Sequence, residues 1–381
     1  MQKYLSLILV LLLLTSCLKK EDEIELKKSS YSQLKKFEQD DVSQIYKAYR
    51  KSCEAISLKK GEFIDNSYVK ISRNDYMEVC AKSSGINPHK FKDFIKANFT
   101  PYLVTHKGSP QGKFTAYYEA QINVSYTKDE KYKYPIYSKP YDLIELNLRD
   151  FDETLPNKKI LGRVSNGKLV PYYTRDEIYK NGVNAPVILW ADSYVDLYIM
   201  QIQGSAVGKL PDGETIRISF DESNGHKFKG IGSILLSKKI ISPAQASMGN
   251  IKKWLNENFE TAKDNMNENK RYIFHKISNA EGPIGALGVD LTAGRSMAVD
   301  RSIIPLGAML WLETTLPNSQ SLNRLVMAQD IGSAIKGAVR GDYFWGSGGD
   351  DVLEQAGKMN SQGQYYILIP NNVEIINGKK N

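Results

Sequence analysis

The chain has 381 residues, enough for two domains at about 150 residues each. Hydrophobic residues make up 41% and glycine adds 28 positions, so real cores can be buried; 25% charged and 10% aromatic residues argue against collagenous, wholly disordered and multi-spanning membrane chains. The 51 basic and 43 acidic side chains leave +8, which suits an anionic partner: nucleic acid, a membrane surface or a carboxylate-bearing polymer.

At the N-terminus Lys3 precedes an apolar run from Tyr4 to Leu14. This run falls short of the roughly 20 residues that cross a bilayer and matches the centre of a secretory signal peptide. Leu14-Thr15-Ser16-Cys17 follows and resembles the lipobox of bacterial lipoproteins. That resemblance implies cleavage before Cys17 and acylation of its thiol and new amine, so residues 1–17 are expected to be signal peptide and lipidated cysteine. Three acyl chains exceed the two signals that stable anchoring takes. A periplasmic, lipid-anchored protein is expected, and Leu18 (rather than Asp) after Cys17 points to the outer membrane of a Gram-negative bacterium. In that oxidising compartment Cys53 and Cys80 are candidates for a disulfide, with two buried thiols as the alternative. Lys19 to Lys28 is a mixed-charge stretch that reads as a tether or a charged first helical turn.

Residues 30–57 place Leu34, Phe37, Ile45, Tyr49 and Ile56 at roughly helical spacing, predicting one or two helices. A further helix is predicted from Asn87 to about Phe99, with Asn87 as N-cap, Pro88 in the first position and an apolar face of Phe91, Phe94, Ile95 and Phe99. After Pro110 strands are expected: Phe114 to Glu119 is β-branched and aromatic, and Tyr194 to Ile199 alternates as a half-exposed strand would. Ser242-Pro243 is read as opening a helix that carries Ile251, Trp254, Leu255 and Phe259. The polar stretch Asp264 to Lys270 is a candidate boundary, and the alternating apolar runs and glycine turns from Arg271 to Pro370 read as a small closed β-structure.

No two of the four histidines have metal-ligand spacing, and the chain has neither a GxSxG elbow nor a phosphate loop. No metal or cofactor is expected. Three aspartates stand beside apolar residues and glycine turns: Asp300 before Arg301, Asp330 at the end of Leu325-Val326-Met327-Ala328-Gln329, and Asp342 in Arg340-Gly341-Asp342-Tyr343-Phe344. A carboxyl desolvated by such neighbours has a raised pKa, as a general acid near neutral pH requires. Cap and turn roles remain the alternative for each.

The segment Ala298 to Gly346 resembles the three-aspartate domain of cell-wall enzymes. Upstream, Phe114-Thr115-Ala116-Tyr117-Tyr118-Glu119 resembles the FTGYYEP motif of the membrane-bound lytic murein transglycosylase A family, as do Ile202-Gln203-Gly204-Ser205 and Asn224-Gly225-His226. Ala116, Ala120, Ala206 and Ser333 stand where the family has Gly, Pro, Gly and Gly. The resemblance implies a mainly β fold with flanking helices: a double-psi β-barrel domain, an inserted second β-domain and a groove between them. Residues 18–119 and 266–381 would form the barrel domain and 120–265 the insert. The implied reaction is cleavage of the β-1,4 bond between N-acetylmuramic acid and N-acetylglucosamine in peptidoglycan, leaving 1,6-anhydro ends.

On that resemblance Asp342 is the catalytic acid and then base, Asp330 polarises it or stabilises the transition state, and Asp300 bonds turn amides. Thr115, Tyr117, Gln203, Gly204 and Ser205 are the expected substrate-binding residues. The expected partners are glycan strands and, through Cys17, the lipid bilayer, with no nucleic acid and a monomeric chain. Two rival readings use the same residues: a non-catalytic peptidoglycan-binding lipoprotein, and an inverting glycoside hydrolase with Asp330 and Asp342 as its acid and base.

Overall fold

The computed structural model describes residues 24–373. Cys17 and the signal segment lie outside them. The first strand, β1 (Ile24–Lys28), pairs antiparallel with β2 (Phe99–His106), so the second half of the stretch read as a tether is a sheet edge. Between them the helix Ser43–Ser57 buries Ile45, Ala48, Tyr49, Ser52, Cys53 and Ile56, one face at three- and four-residue spacing. Cys53 is disulfide-bonded to Cys80 on the helix Arg73–Lys82. The stretch after Asn87 begins as a 3-10 turn capped by the Asn87 side chain, and the α-helix runs Phe91–Asn98. Phe99 already belongs to β2.

The fourteen-residue strand β3 (Gly112–Ser125) follows and pairs with strands from two different parts of the chain. The segment between β3 and the last part of the chain supplies β4 (Tyr134–Tyr137), β5 (Ile144–Asn147), β6 (Lys159–Ser165), β7 (Lys168–Pro171), β8 (Val187–Ala191), β9 (Ala206–Lys209), β10 (Thr215–Ser223) and β11 (Ile273–Ser278). Ala120 to Asn123 pair in parallel with β9, which continues through β10 to β11, while Val124 and Ser125 pair with β8. Strands β5, β6 and β7 form a separate antiparallel sheet.

The rest of the chain supplies β12 (Ser296–Val299), β13 (Met309–Thr315), β14 (Ser321–Asp330), β15 (Arg340–Gly348) and β16 (Asn360–Pro370). These five and the first half of β3 close a ring in the order β3, β16, β13, β14, β12, β15 and back to β3. Two pairs, β12 with β14 and β15 with β3, are parallel, and the other four are antiparallel. Closure leaves no free edge inside the ring. Phe114, Met297, Leu310, Tyr365 and Ile367 are buried on one face of the ring, and Trp311 and Met327 on the other. The small closed β-structure expected after Arg271 is therefore present, but it takes one wall from β3, far upstream.

Two readings of local structure are corrected. Tyr194 to Ile199 is the start of a helix, Tyr194–Gln203, capped by the Ser193 hydroxyl accepting from Asp196 N and ended by Gly204 at φ +94°. Seven of its ten residues are buried, so no helical period shows in its sequence, and the short alternation, with its Tyr, Val and Ile content, suggested a strand. Ser242-Pro243 opens only a 3-10 turn; the helix that carries Ile251, Trp254 and Leu255 is Met248–Glu257, capped by Ser247, and Phe259 begins the next helix. The polar stretch Asp264 to Lys270 includes the end of that next helix (Phe259–Asn267) and is pinned. The buried Arg175 guanidinium donates to the carbonyls of Asn269 at 3.1 Å and Arg271 at 2.6 Å.

Candidate active site

Alternate residues of a strand face the same way, and partners in register point to the same side of a sheet. In β3 this puts Thr115 and Tyr117 on one face, beside their β15 partners Asp342 and Phe344. Ala298 of β12 is the register partner of Asp342 on one side and of Asp330 on the other. The two acids are thus two strands apart, with Cα atoms about 10 Å from each other and Ala298 on the strand between them.

Each acid is held from a different direction. The Tyr117 hydroxyl donates to Asp330 Oδ2 at 2.8 Å, and the amides of Ile331 and Ala286 donate to Oδ1 at 2.9 and 3.0 Å. On the opposite face of β14 the buried Gln329 amide donates to Ala48 O and Ser52 Oγ, both at 2.9 Å, and accepts from Ser296 Oγ at 2.6 Å. That network fixes the strand end that carries Asp330. Asp342 Oδ1 accepts from the Thr115 hydroxyl, whose oxygen in turn accepts from Arg340 Nη2 at 2.8 Å.

Burial pushes both carboxyls above the usual range. For Asp330 the negative charge of Asp342 adds to this, against three hydrogen bonds that favour the anion. For Asp342 burial acts against the Thr115 hydrogen bond and the Arg340 charge. The Tyr117 phenol is pushed well up by burial and by the neighbouring carboxylates, so it stays a donor. Such a pair can hold one proton beside one charge. Asp300 stands apart from this arrangement. Its carboxylate accepts from Ser302 N at 3.1 Å, Ser302 Oγ at 2.7 Å and Gly337 N at 2.9 Å. Although burial acts to raise its pKa, these bonds and Lys336 hold it below the usual value.

Gln203, Gly204 and Ser205 join the helix Tyr194–Gln203 to β9, whose first residue, Ala206, is the register partner of Ala120 on β3. Gly204 closes the helix through its amide to Met200 O at 2.7 Å. A Cβ there would meet no atom within 4 Å, so the glycine answers a backbone requirement. Asn224 is buried; its Nδ2 donates to Tyr173 O and Lys270 O, both at 2.8 Å, and Gly225 follows at φ +78°. The four departures from the family motifs need no unusual backbone, since the positive-φ non-glycine residues are Lys36, Lys107, Asn166, Lys239 and Ser319.

The turn after Asn224 forms one wall of a cleft of about 680 Å³, with Gly225, His226, Phe228 and Arg271 among its lining. Ser333 and Ala334 line it from the loop that begins at Asp330. Arg340, Phe228 and Arg271 were not singled out from sequence. Arg340 alone carried a signal, two residues before Asp342 on the same strand face. Among the described residues no three His, Cys, Asp or Glu side chains gather as a metal ion would require.

This geometry can be set beside known proteins. Residues 113–276 match the family model described as the MltA specific insert domain, and residues 295–369 match the 3D domain. A crystal structure of MltA from Neisseria gonorrhoeae is 32% identical, with a TM-score of 0.82 over 93% of this chain and 95% of that one. The chain belongs to the MltA family. The membrane-bound lytic murein transglycosylase A of Escherichia coli K12 is 30% identical over 265 residues, which span 67% of this chain and 65% of that MltA protein. A structure of E. coli MltA with bound chitohexaose is 25% identical, with a TM-score of 0.60 over 78% of this chain and 82% of that one. The sheet-rich architecture, with helices packed around it, is that of the MltA structures.

Proposed function

We propose that this chain is a peptidoglycan lytic transglycosylase, cleaving the β-1,4 bond between N-acetylmuramic acid and N-acetylglucosamine without water. The observation that carries the reading is the unequal pair flanking Ala298: three hydrogen-bond donors on Asp330 and one on Asp342. The better solvated anion is Asp330; Asp342 keeps its proton.

In the first step Asp342 gives that proton to the glycosidic oxygen as the C1–O bond breaks. Positive charge develops at C1 of the muramic residue, and the Asp330 carboxylate stabilises it. The C6 hydroxyl then attacks C1, and Asp342, now a carboxylate, takes the hydroxyl proton. A C1–O6 bond has replaced the C1–O4 bond, and Asp342 ends protonated as it began. Names of relatives and the oligosaccharide in one of their crystals support the substrate class. A lipid anchor at Cys17 and periplasmic, outer-membrane placement belong to the same reading. Among the described residues no helix is long and apolar enough to cross a membrane.

The test is digestion of purified peptidoglycan by the full chain in detergent, beside Asp342→Asn, with the sugar ends identified by mass spectrometry. Anhydro ends from the parent, with a loss of about 10²–10⁴ in the variant, are expected. Reducing ends would make the chain a hydrolase with Asp330 as base. Binding without cleavage would leave a wall-binding lipoprotein.

A further inference from the structure

Arg271 lines the cleft half-buried, and its side chain makes one long hydrogen bond, 3.5 Å from Nη1 to His226 O. A guanidinium has five N–H donors, so most of this one's capacity is unused. Burial lowers its pKa, and the negative charge of Glu222, beyond ion-pair distance, acts against this. The acids of the neighbourhood are engaged elsewhere: Glu222 with Lys159 at 2.8 Å, and Glu268 with Lys229 at 2.7 Å and with Lys238. Among the described residues no carboxylate lies within ion-pair distance of Arg271 or of Lys227, which lines the same cleft. A partly buried cation without a direct ion-pair partner costs stability, and a cleft that keeps one is suited to an anionic guest.

The wall that carries these cations is built firmly. Asn224 fixes the turn through Tyr173, Lys270 and the amide of Tyr272. A Cβ on Gly225 would stand 2.8 Å from Leu161 Cβ, so the turn is packed tightly on its neighbour. Phe228, 36% exposed, offers an apolar face beside the charges. Across the cleft, Ser333 is three residues beyond Asp330, at most about 11 Å along the chain. An anion on this wall would belong to the strand whose glycosidic bond lies at the acids.

We propose that Arg271 and Lys227 bind a free carboxylate of a stem peptide carried by the glycan, and so select peptide-bearing over bare strands. This rests on the peptidoglycan reading above and gives the cleft its specificity. The planar fork of Arg271 suits a carboxylate in two-point contact, with Lys227 adding a second positive charge.

The test measures binding by the full chain in detergent, carrying Asp342→Asn so that strands stay intact. Three polymers are compared: strands with peptides, strands whose peptide carboxylates have been amidated, and strands stripped of peptides by an amidase. Dissociation constants about tenfold lower for the first than for the other two are expected, equivalent to about 1.4 kcal/mol. Arg271→Gln should abolish that ratio, and Lys227→Gln, at an exposed position, should reduce it about threefold. If Arg271→Gln does not fold, the Lys227→Gln ratio decides. Equal binding to all three polymers, or a preference untouched by Lys227→Gln, overturns the proposal. These measurements involve no cleavage, so a parent chain that cuts nothing would sink the transglycosylase reading separately.

Discussion

Asp330 and Asp342 flank one residue, Ala298, the first on a parallel strand and the second on an antiparallel one. The mixed pairing of the ring brings together acids from two strands that are not themselves neighbours. Two hydroxyls of β3 reach one acid each: Thr115 reaches Asp342, and Tyr117 reaches Asp330. The two roles can therefore be separated by deleting one hydroxyl at a time.

Thr115→Val keeps the side-chain shape and removes the donor to Asp342. That bond lowers the pKa of Asp342 against burial, so its loss raises the pKa further. If Asp342 is the acid, its protonated form persists to higher pH and the alkaline limb of the kcat/KM profile moves up. The second step weakens, because the anion has lost its hydrogen bond, and turnover at neutral pH falls by about tenfold or more. An alkaline limb that stays in place while the acid limb moves would reverse the roles of the two acids.

Tyr117→Phe removes one of the three donors on Asp330. The phenol favours the charged form, so the Asp330 pKa rises when it is lost. A group that must be ionised then sets an acid limb at higher pH, and the alkaline limb is unaffected. Rate loss of about tenfold is expected at neutral pH, from one charge-assisted bond. The check is a pH–rate profile on the same peptidoglycan preparation.

Much of this site was legible in the chain as motifs, but not as geometry. Tyr117 and Asp330 are 213 residues apart, and no periodicity reports that they touch. The three aspartates look alike in sequence; only their donors distinguish Asp300, fixed by a turn, from the pair around Ala298. The helix Tyr194–Gln203 was hidden because nearly every face of it is buried, which erases the contrast that periodicity depends on. Its caps, Ser193 and Gly204, were in plain view. Gly204 is also one of the expected substrate-binding residues. Helices with one wet face, such as Ser43–Ser57 and Phe91–Asn98, announced themselves.

Gly204→Ala separates those two meanings of the glycine. The position lies at φ +94° with open space where a Cβ would be, so the cost is backbone strain rather than collision. A loss of about 1 kcal/mol in unfolding free energy is expected, with KM for glycan unchanged. A raised KM at unchanged stability would instead put substrate against this residue.

The ring's stability is predicted to hang on Asp40. Its carboxylate accepts from both terminal nitrogens of Arg295, at 2.7 and 2.8 Å, and from the Leu325 amide at 2.9 Å. Both charged side chains are 4% exposed. Arg295 precedes β12 and Leu325 lies on β14, so one carboxylate from the N-terminal segment ties the parallel pair that sets Asp330 against Ala298. Asp40→Ala leaves a buried guanidinium without its counter-charge, and a loss of about 3–5 kcal/mol is expected in urea unfolding. Replacing both partners with apolar residues, Asp40→Leu with Arg295→Met, should recover most of it, because no charge then remains buried. A loss below about 1 kcal/mol in Asp40→Ala would mean that water screens this pair as it does a surface one.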